Sequence, residues 1–265
     1  MMLPGGLWEQ GRLAREFSFK PLSGEVELAL AESVAPGQSL PAQVTAALAA
    51  SLQDLGAQRV NPRRISALSV GDRQFLMRQL AVHLGNDQLW LTAECRHCHQ
   101  PFDVGLNQSS LPIKQAQGSY PFASVLTSQG HIKLRVPTGS DQQRIADVAD
   151  DAEARQGLLG SCIIEGPRDV KAFTAEDMQA MESALEAVAP EVAVQVQAHC
   201  PECGTANMLT VDPYHCLGKA GTSLFAEIHT LATHYHWSEA EILAMSQQRR
   251  QRYLALIDQA RGMLS

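Results

Sequence analysis

Aromatic residues are scarce in this chain, at 5% of the sequence, and positive charge is outnumbered. A net charge of −7 leaves no broad basic surface of the kind that non-specific nucleic-acid binding needs. So few rings also argue against a base-stacking platform. Long apolar runs are missing too: no window approaches the roughly 18 uninterrupted apolar residues of a membrane-crossing helix. The opening MMLPGGLWEQGRLAREF has no basic stretch followed by an apolar one, so no signal peptide is expected and the protein is expected in the cytoplasm, or assembled there into something larger. Catalytic signatures are lacking as well. There is no G-x-S-x-G, H-E-x-x-H or G-x-G-x-x-G, and GKAGTS at 218–223 has the letters of a phosphate-binding loop in the wrong order. No enzymatic activity and no small-molecule substrate are therefore expected.

What is present is an ordinary soluble composition, 45% hydrophobic and 18% charged, on 265 residues, enough for one elaborated domain or two small ones. Residues 1–14, with Pro4, Gly5 and Gly6, read as a flexible leader. The alternation in EFSFKPLSGEVELALAES, either side of Pro21-Leu22-Ser23-Gly24, predicts two strands joined by a turn. Val44, Leu48 and Leu52 at helical spacing predict a helix stopped by Gly56. A second helix carries Phe75, Leu76, Leu80 and Leu84, with Ser69 or Asp72 as its cap and Gly85-Asn86 as its end. Strands are expected at 88–93, 101–106, 131–136, 192–198 and 207–211. Residues 107–120 read as a surface loop and 139–189 as mostly helical, with Thr174 and Asp177 capping one helix. The tail from 222 to 264 should be helical in two or three pieces, one of them opened by a capping box of Ser238 and Glu241.

Six cysteines stand at 95, 98, 162, 200, 203 and 216, and four of them form two C-x-x-C pairs. LWLTAECRHCHQPFDVGL and VAVQVQAHCPECGTANMLTV share one plan of strand, C-x-x-C turn and strand, which makes them two halves of one site. Zn²⁺ prefers four thiolate or imidazole ligands in a tetrahedron. Cys95 and Cys98 would supply one half and Cys200 and Cys203 the other, with Gly204 suited to the tight turn. Closing a loop of about a hundred residues costs roughly 4 kcal/mol plus a constant, less than the roughly 10–16 kcal/mol of apparent free energy of structural zinc in peptides. A closed four-cysteine shell leaves no position for water, so such a metal is structural. The alternatives are a disulfide or redox pair within each C-x-x-C, and two separate zinc sites completed by His97, His99, His199, His215 or Cys216. Cys162, in an apolar helical stretch, reads as a core residue.

Other polar clusters have plainer readings. His229, His234 and His236, near Tyr235, are expected as core or surface histidines at a helix end. The acidic stretch 147–153 should be a solvated face or turn. Arg249, Arg250, Arg252 and Arg261 mark the last helix as one that could meet an anion or dock on a partner or on its own domain, with Tyr253, Leu254 and Ile257 facing the other way.

Two segments resemble a known family. ISALSVGDRQFLMRQLAVHLG runs into a strand and a C-x-x-C, and EIHTLATHYHWSEAEILAMSQQRRQRYLALI forms the tail. Together they are similar to the T-even-type baseplate hub-associated proteins of contractile phage tails and phage-like contractile injection systems. The G-D-R-x-F-L helix entry and the Y-x-W-S-E-x-E-I-L…R-R-x-x-Y-L tail carry the match; Ser246 stands where relatives often have proline. The resemblance implies a structural or assembly role among hub or spike proteins, without catalysis. It implies that the tail motif, Trp237, Ser238, Glu241, Arg249, Arg250 and Tyr253, matters, with Trp237, Arg249, Arg250 and Tyr253 as the partner-binding positions. The expectation is thus an α+β protein: a knuckle-bearing domain over 15–220 with a helical insert at 139–190, and a helical tail over 221–265. The alternative function is a zinc-ribbon nucleic-acid-binding or regulatory module.

Overall fold

A computed structural model describes residues 1–35, 37–217 and 224–262. The expected boundary at 220/221 and the GKAGTS segment lie outside the described residues. The fold is mixed α and β, with several small sheets and a helical C-terminal region.

The first fourteen residues are not a leader. β1 (Met2–Glu9) and β2 (Arg12–Phe19) form a hairpin that buries Leu3 and Leu7 completely or nearly so. The Pro-Gly-Gly run that suggested looseness is a bulge in β1. Its freed amides, from Gly5 and Gly6, donate to the Asp72 carboxylate at 2.8 and 3.0 Å.

The second expected strand is also a helix, α1 (Gly24–Glu32). Alternation at even positions coincides with i,i+4 spacing, and Val26 and Leu30, four apart, are the large apolar residues buried. Glu, Leu and Ala favour the helix, and Glu25 and Glu27 sit well at its positive end.

α2 (Leu40–Ser51) leads into β3 (Leu52–Leu55) and β4 (Gln58–Arg59), which complete an antiparallel sheet in the order β1-β2-β3-β4. Then come α3 (Pro62–Ser66) and α4 (Val70–His83), the latter capped by Ser69, whose hydroxyl accepts from the Asp72 amide. The main core lies between this sheet and α1, α2 and α4, around Leu3, Phe17, Leu48, Leu76 and Leu80.

β5 (Gln88–Glu94) and β6 (Pro101–Asn107) form one hairpin in unbroken register. The expected loop at 107–120 holds a turn of 3₁₀ helix, the short β7 (Ile113–Lys114) and a buried Tyr120. β8 (Phe122–Thr127) and β9 (Gly130–Arg135) follow, then α5 (Gly139–Ile145), α6 (Asp151–Cys162), β10 (Ile163–Glu165) and α7 (Ala175–Val188). Thr174 and Asp177 form a reciprocal capping box on α7. A second core fills the space between β8–β10 and α6 and α7, around Ile132, Leu134, Leu159, Met181 and Leu185, with Cys162 among them.

β11 (Glu191–Val192) pairs with β7, and β12 (Gln195–His199) with β13 (Ala206–Thr210) in a second hairpin. The tail comprises α8 (Leu224–Tyr235), α9 (Glu239–Leu243) and α10 (Gln247–Gly262), packed around Leu231, Ile242 and Ile257. Ser238 and Glu241 form the expected capping box on α9. No helix among the described residues is long and apolar enough to cross a membrane.

The G-D-R entry of α4 is explained residue by residue. A Cβ on Gly71 would stand 2.0 Å from the Pro190 carbonyl oxygen, so only glycine lets the helix reach that backbone. Asp72, fully buried, accepts from the Gly5 and Gly6 amides, the Ser69 hydroxyl and the Tyr120 hydroxyl. Arg73, also fully buried, donates to Thr45 Oγ1 and to the carbonyls of Ile65 and Pro41. Burial pushes its guanidinium down to about 10. Gly71→Ala is expected to cost about 3 kcal/mol, because the clash is with main chain that cannot swing aside; a urea melt against wild type measures it.

Candidate metal centre

Each C-x-x-C sits at the tip of one hairpin, β5–β6 and β12–β13, and the two tips meet. Both are built by the same hydrogen bonds. The Cys95 amide donates to the Gln100 carbonyl and the His99 amide to the Cys95 carbonyl, each at 3.0 Å. In the second tip the Cys200 amide donates to the Thr205 carbonyl at 3.0 Å and the Gly204 amide to the Cys200 carbonyl at 2.9 Å. The fifth residue of each turn takes a left-handed conformation, φ 71° at Gly204 and 58° at His99. The sequence flags this turn at Gly204; at His99 it does not, since histidine enters that region only when the turn demands it.

The four sulfurs lie within 4.8 Å of one another, and among the described residues they are the one such group of metal-ligating side chains. Two sulfur pairs cross between hairpins, Cys95 to Cys203 at 3.6 Å and Cys98 to Cys200 at 3.7 Å. A tetrahedral ion with Zn–S bonds near 2.3 Å needs sulfurs about 3.8 Å apart, whereas a disulfide needs about 2.05 Å. None of the six cysteines is in a disulfide. The donor set and spacing therefore fit a tetrahedral thiophilic ion, with one closed four-cysteine site and no intra-turn disulfide.

Cys95 and Cys200 are buried, Cys98 is half-buried and Cys203 is exposed. Hydrogen bonds from the Cys98 and His97 amides hold the Cys95 thiol down to about 6. Against the pull of the Gln100 amide, burial and the facing sulfurs of Cys203, Cys200 and Cys95 push Cys98 up to about 12. Four thiolates this close would repel one another; a divalent ion could offset part of that charge, displacing protons as it binds. Cys203 Sγ and Thr205 Oγ1 are 3.3 Å apart, and bonds to the Thr205 side chain and amide lower the Cys203 thiol.

The other sequence candidates are placed differently. His99 Nδ1 pairs with Glu94 at 3.0 Å in solvent, away from any ligand role. His234 Nδ1 is bonded to the Thr230 carbonyl on its own helix. Asp150 of the acidic stretch caps α6 through the Glu153 amide. Of the four residues the resemblance marks for partner binding, Arg249 alone is exposed, lying over the Tyr253 ring at 6.0 Å. Trp237 and Tyr253 are half-buried in a three-ring cluster, in which Trp237 stacks on Tyr235 and Tyr253 meets both rings edge-on. Arg250 is not a surface residue at all. Fully buried, it donates to Glu227 at 2.9 Å, to Glu27 and to the Met245 carbonyl. Its spacing from Leu254 and Ile257, i+4 and i+7, is the signal that places it on the inward stripe.

The fold and site define a class: an α+β protein in which two hairpin tips gather four cysteines that could hold a metal ion. In comparisons with known proteins, no family model, no curated protein and no solved structure matches the chain.

Proposed function

We propose that this chain is a structural or assembly component of the baseplate or hub of a contractile phage tail or phage-like injection system, stabilised by structural zinc and without catalytic activity. The observation that carries this reading is the sulfur cluster. It offers four soft donors at tetrahedral spacing and leaves no open coordination position, which suits a clamp and not a reaction centre. The two segments that resemble the family support it: the G-D-R entry organises the main core, and the W-S-E tail docks on that body through Arg250. The outer face of α10 is left for a partner. Arg249, Arg252, Tyr253, Leu256 and Gln259 border a groove of about 560 Å³ there, with Leu256 half exposed.

Co-expression with the tube, sheath, spike and hub genes of its own locus tests the role. Co-purification with hub or spike proteins is the expected result, weakened by Arg249→Glu or Leu256→Asp on the outer face. A chain that stays monomeric in the presence of all of them, or whose gene has no such neighbours, overturns it. A salt-dependent gel shift would instead favour the nucleic-acid alternative, which the net charge of −7 disfavours.

A further inference from the structure

Between the two hairpin tips lies one polar side chain that the cysteine pattern does not reveal. Asn207, on β13 opposite Ala198, is 5% exposed and faces inward. Its Oδ1 accepts from the Arg96 amide, inside the first C-x-x-C, at 2.9 Å. Its Nδ2 donates to the Thr205 carbonyl, at the end of the second turn, at 2.8 Å, and approaches Cys95 Sγ at 3.7 Å. Turning the amide over would set N–H against N–H at Arg96 and oxygen against oxygen at Thr205, so the network dictates its orientation. Aspartate offers the acceptor without the donors, and an aliphatic residue offers neither.

We propose that Asn207 is a positioning residue of the metal centre, locking the first cysteine turn to the second and donating a hydrogen bond to the Cys95 sulfur. This rests on the four-cysteine reading above. Groups that orient and hydrogen-bond metal ligands are worth about 10- to 100-fold in affinity when removed. The contact joins turns that are remote in sequence, so it acts where the loop between them is least able to hold the spacing.

The test uses the full chain, loaded with Zn²⁺ or Co²⁺, with affinity read by competition against a chromophoric chelator. Asn207→Ala is expected to weaken Zn²⁺ binding about 10- to 100-fold. Asn207→Asp keeps an acceptor for Arg96, loses both donors and sets a carboxylate against the sulfur; its loss should be at least as large. In the Co²⁺ form of either variant, the thiolate-to-metal charge-transfer band should move to lower energy, because the sulfur has lost a donor. A purely structural role would not move that band. Met208→Ala, at the exposed neighbour, should change neither readout. If both Asn207 variants bind within twofold of wild type with an unshifted band, the assignment of Asn207 is overturned. Wild type that takes up no divalent ion overturns the four-cysteine reading itself.

Discussion

Stripping the metal with a chelator is expected to release the two hairpins while the rest of the protein stays folded. The hairpin tips share only a small apolar cluster, Cys95, Phe102 and Cys200 with half-buried Ala93, Cys98, Val104 and Ala198 around them. Two-stranded hairpins with so little between them are marginal in water. The main core and the α6–α7 core hold no cluster cysteine and need no ion. Amide exchange should therefore accelerate by orders of magnitude over 88–107 and 195–210 and change little in α2, α4 and α7. Cys95→Ser or Cys200→Ser should reproduce the effect and abolish stoichiometric metal, which is expected at one ion per chain in wild type. Cys162→Ala and Cys216→Ala should leave that stoichiometry intact. Because binding displaces protons from thiols, metal should be lost as pH falls. Natively folded protein whose four cluster thiols are metal-free and freely alkylated would refute this.

Arg250→Ala should be the most damaging single substitution outside the cysteines. The guanidinium sits between Glu27 of α1 and Glu227 of α8, all three buried, so it fastens the tail to the body. Removing it leaves two carboxylates facing each other in a low-dielectric site, a loss of about 3–5 kcal/mol, or on the order of 10 °C in melting temperature. The tail helices should lose exchange protection first. Replacing all three charges by apolar residues of similar volume should recover much of the loss.

The same site makes the defect pH-dependent. Burial raises the Glu27 carboxyl above its ordinary value; Arg250 opposes this and Glu227 adds to it. Without Arg250 the carboxyl rises further. The native variant then holds a proton that the unfolded chain has released, so its stability increases as pH falls toward the ordinary carboxylate value. The gap between variant and wild type should narrow on acidification from pH 7 to about 5, measured by denaturant melts at each pH. A gap that widens instead would place the missing charge elsewhere.

Much of this protein is written locally. The two C-x-x-C turns with their flanking strands, the Ser69 cap of α4, the Thr174–Asp177 and Ser238–Glu241 boxes and the core positions of α4 follow from residues within a few places of one another. Where the sequence reading and the structure differ, at the start of the chain and at 24–32, the outcome depended on partners far along the chain. The start of the chain is a β-hairpin, with Asp72 gathering the amides of Gly5 and Gly6. Residues 24–32 are helix because Val26 and Leu30 have a core to face, and Glu27 has Arg250. Asn207 reads as an ordinary strand residue until the other hairpin stands beside it. Local periodicity and capping choose an element where only one backbone conformation satisfies the nearby side chains. Where two conformations serve about equally, the long-range hydrogen bond or buried charge decides, and that partner exists only once the chain has folded.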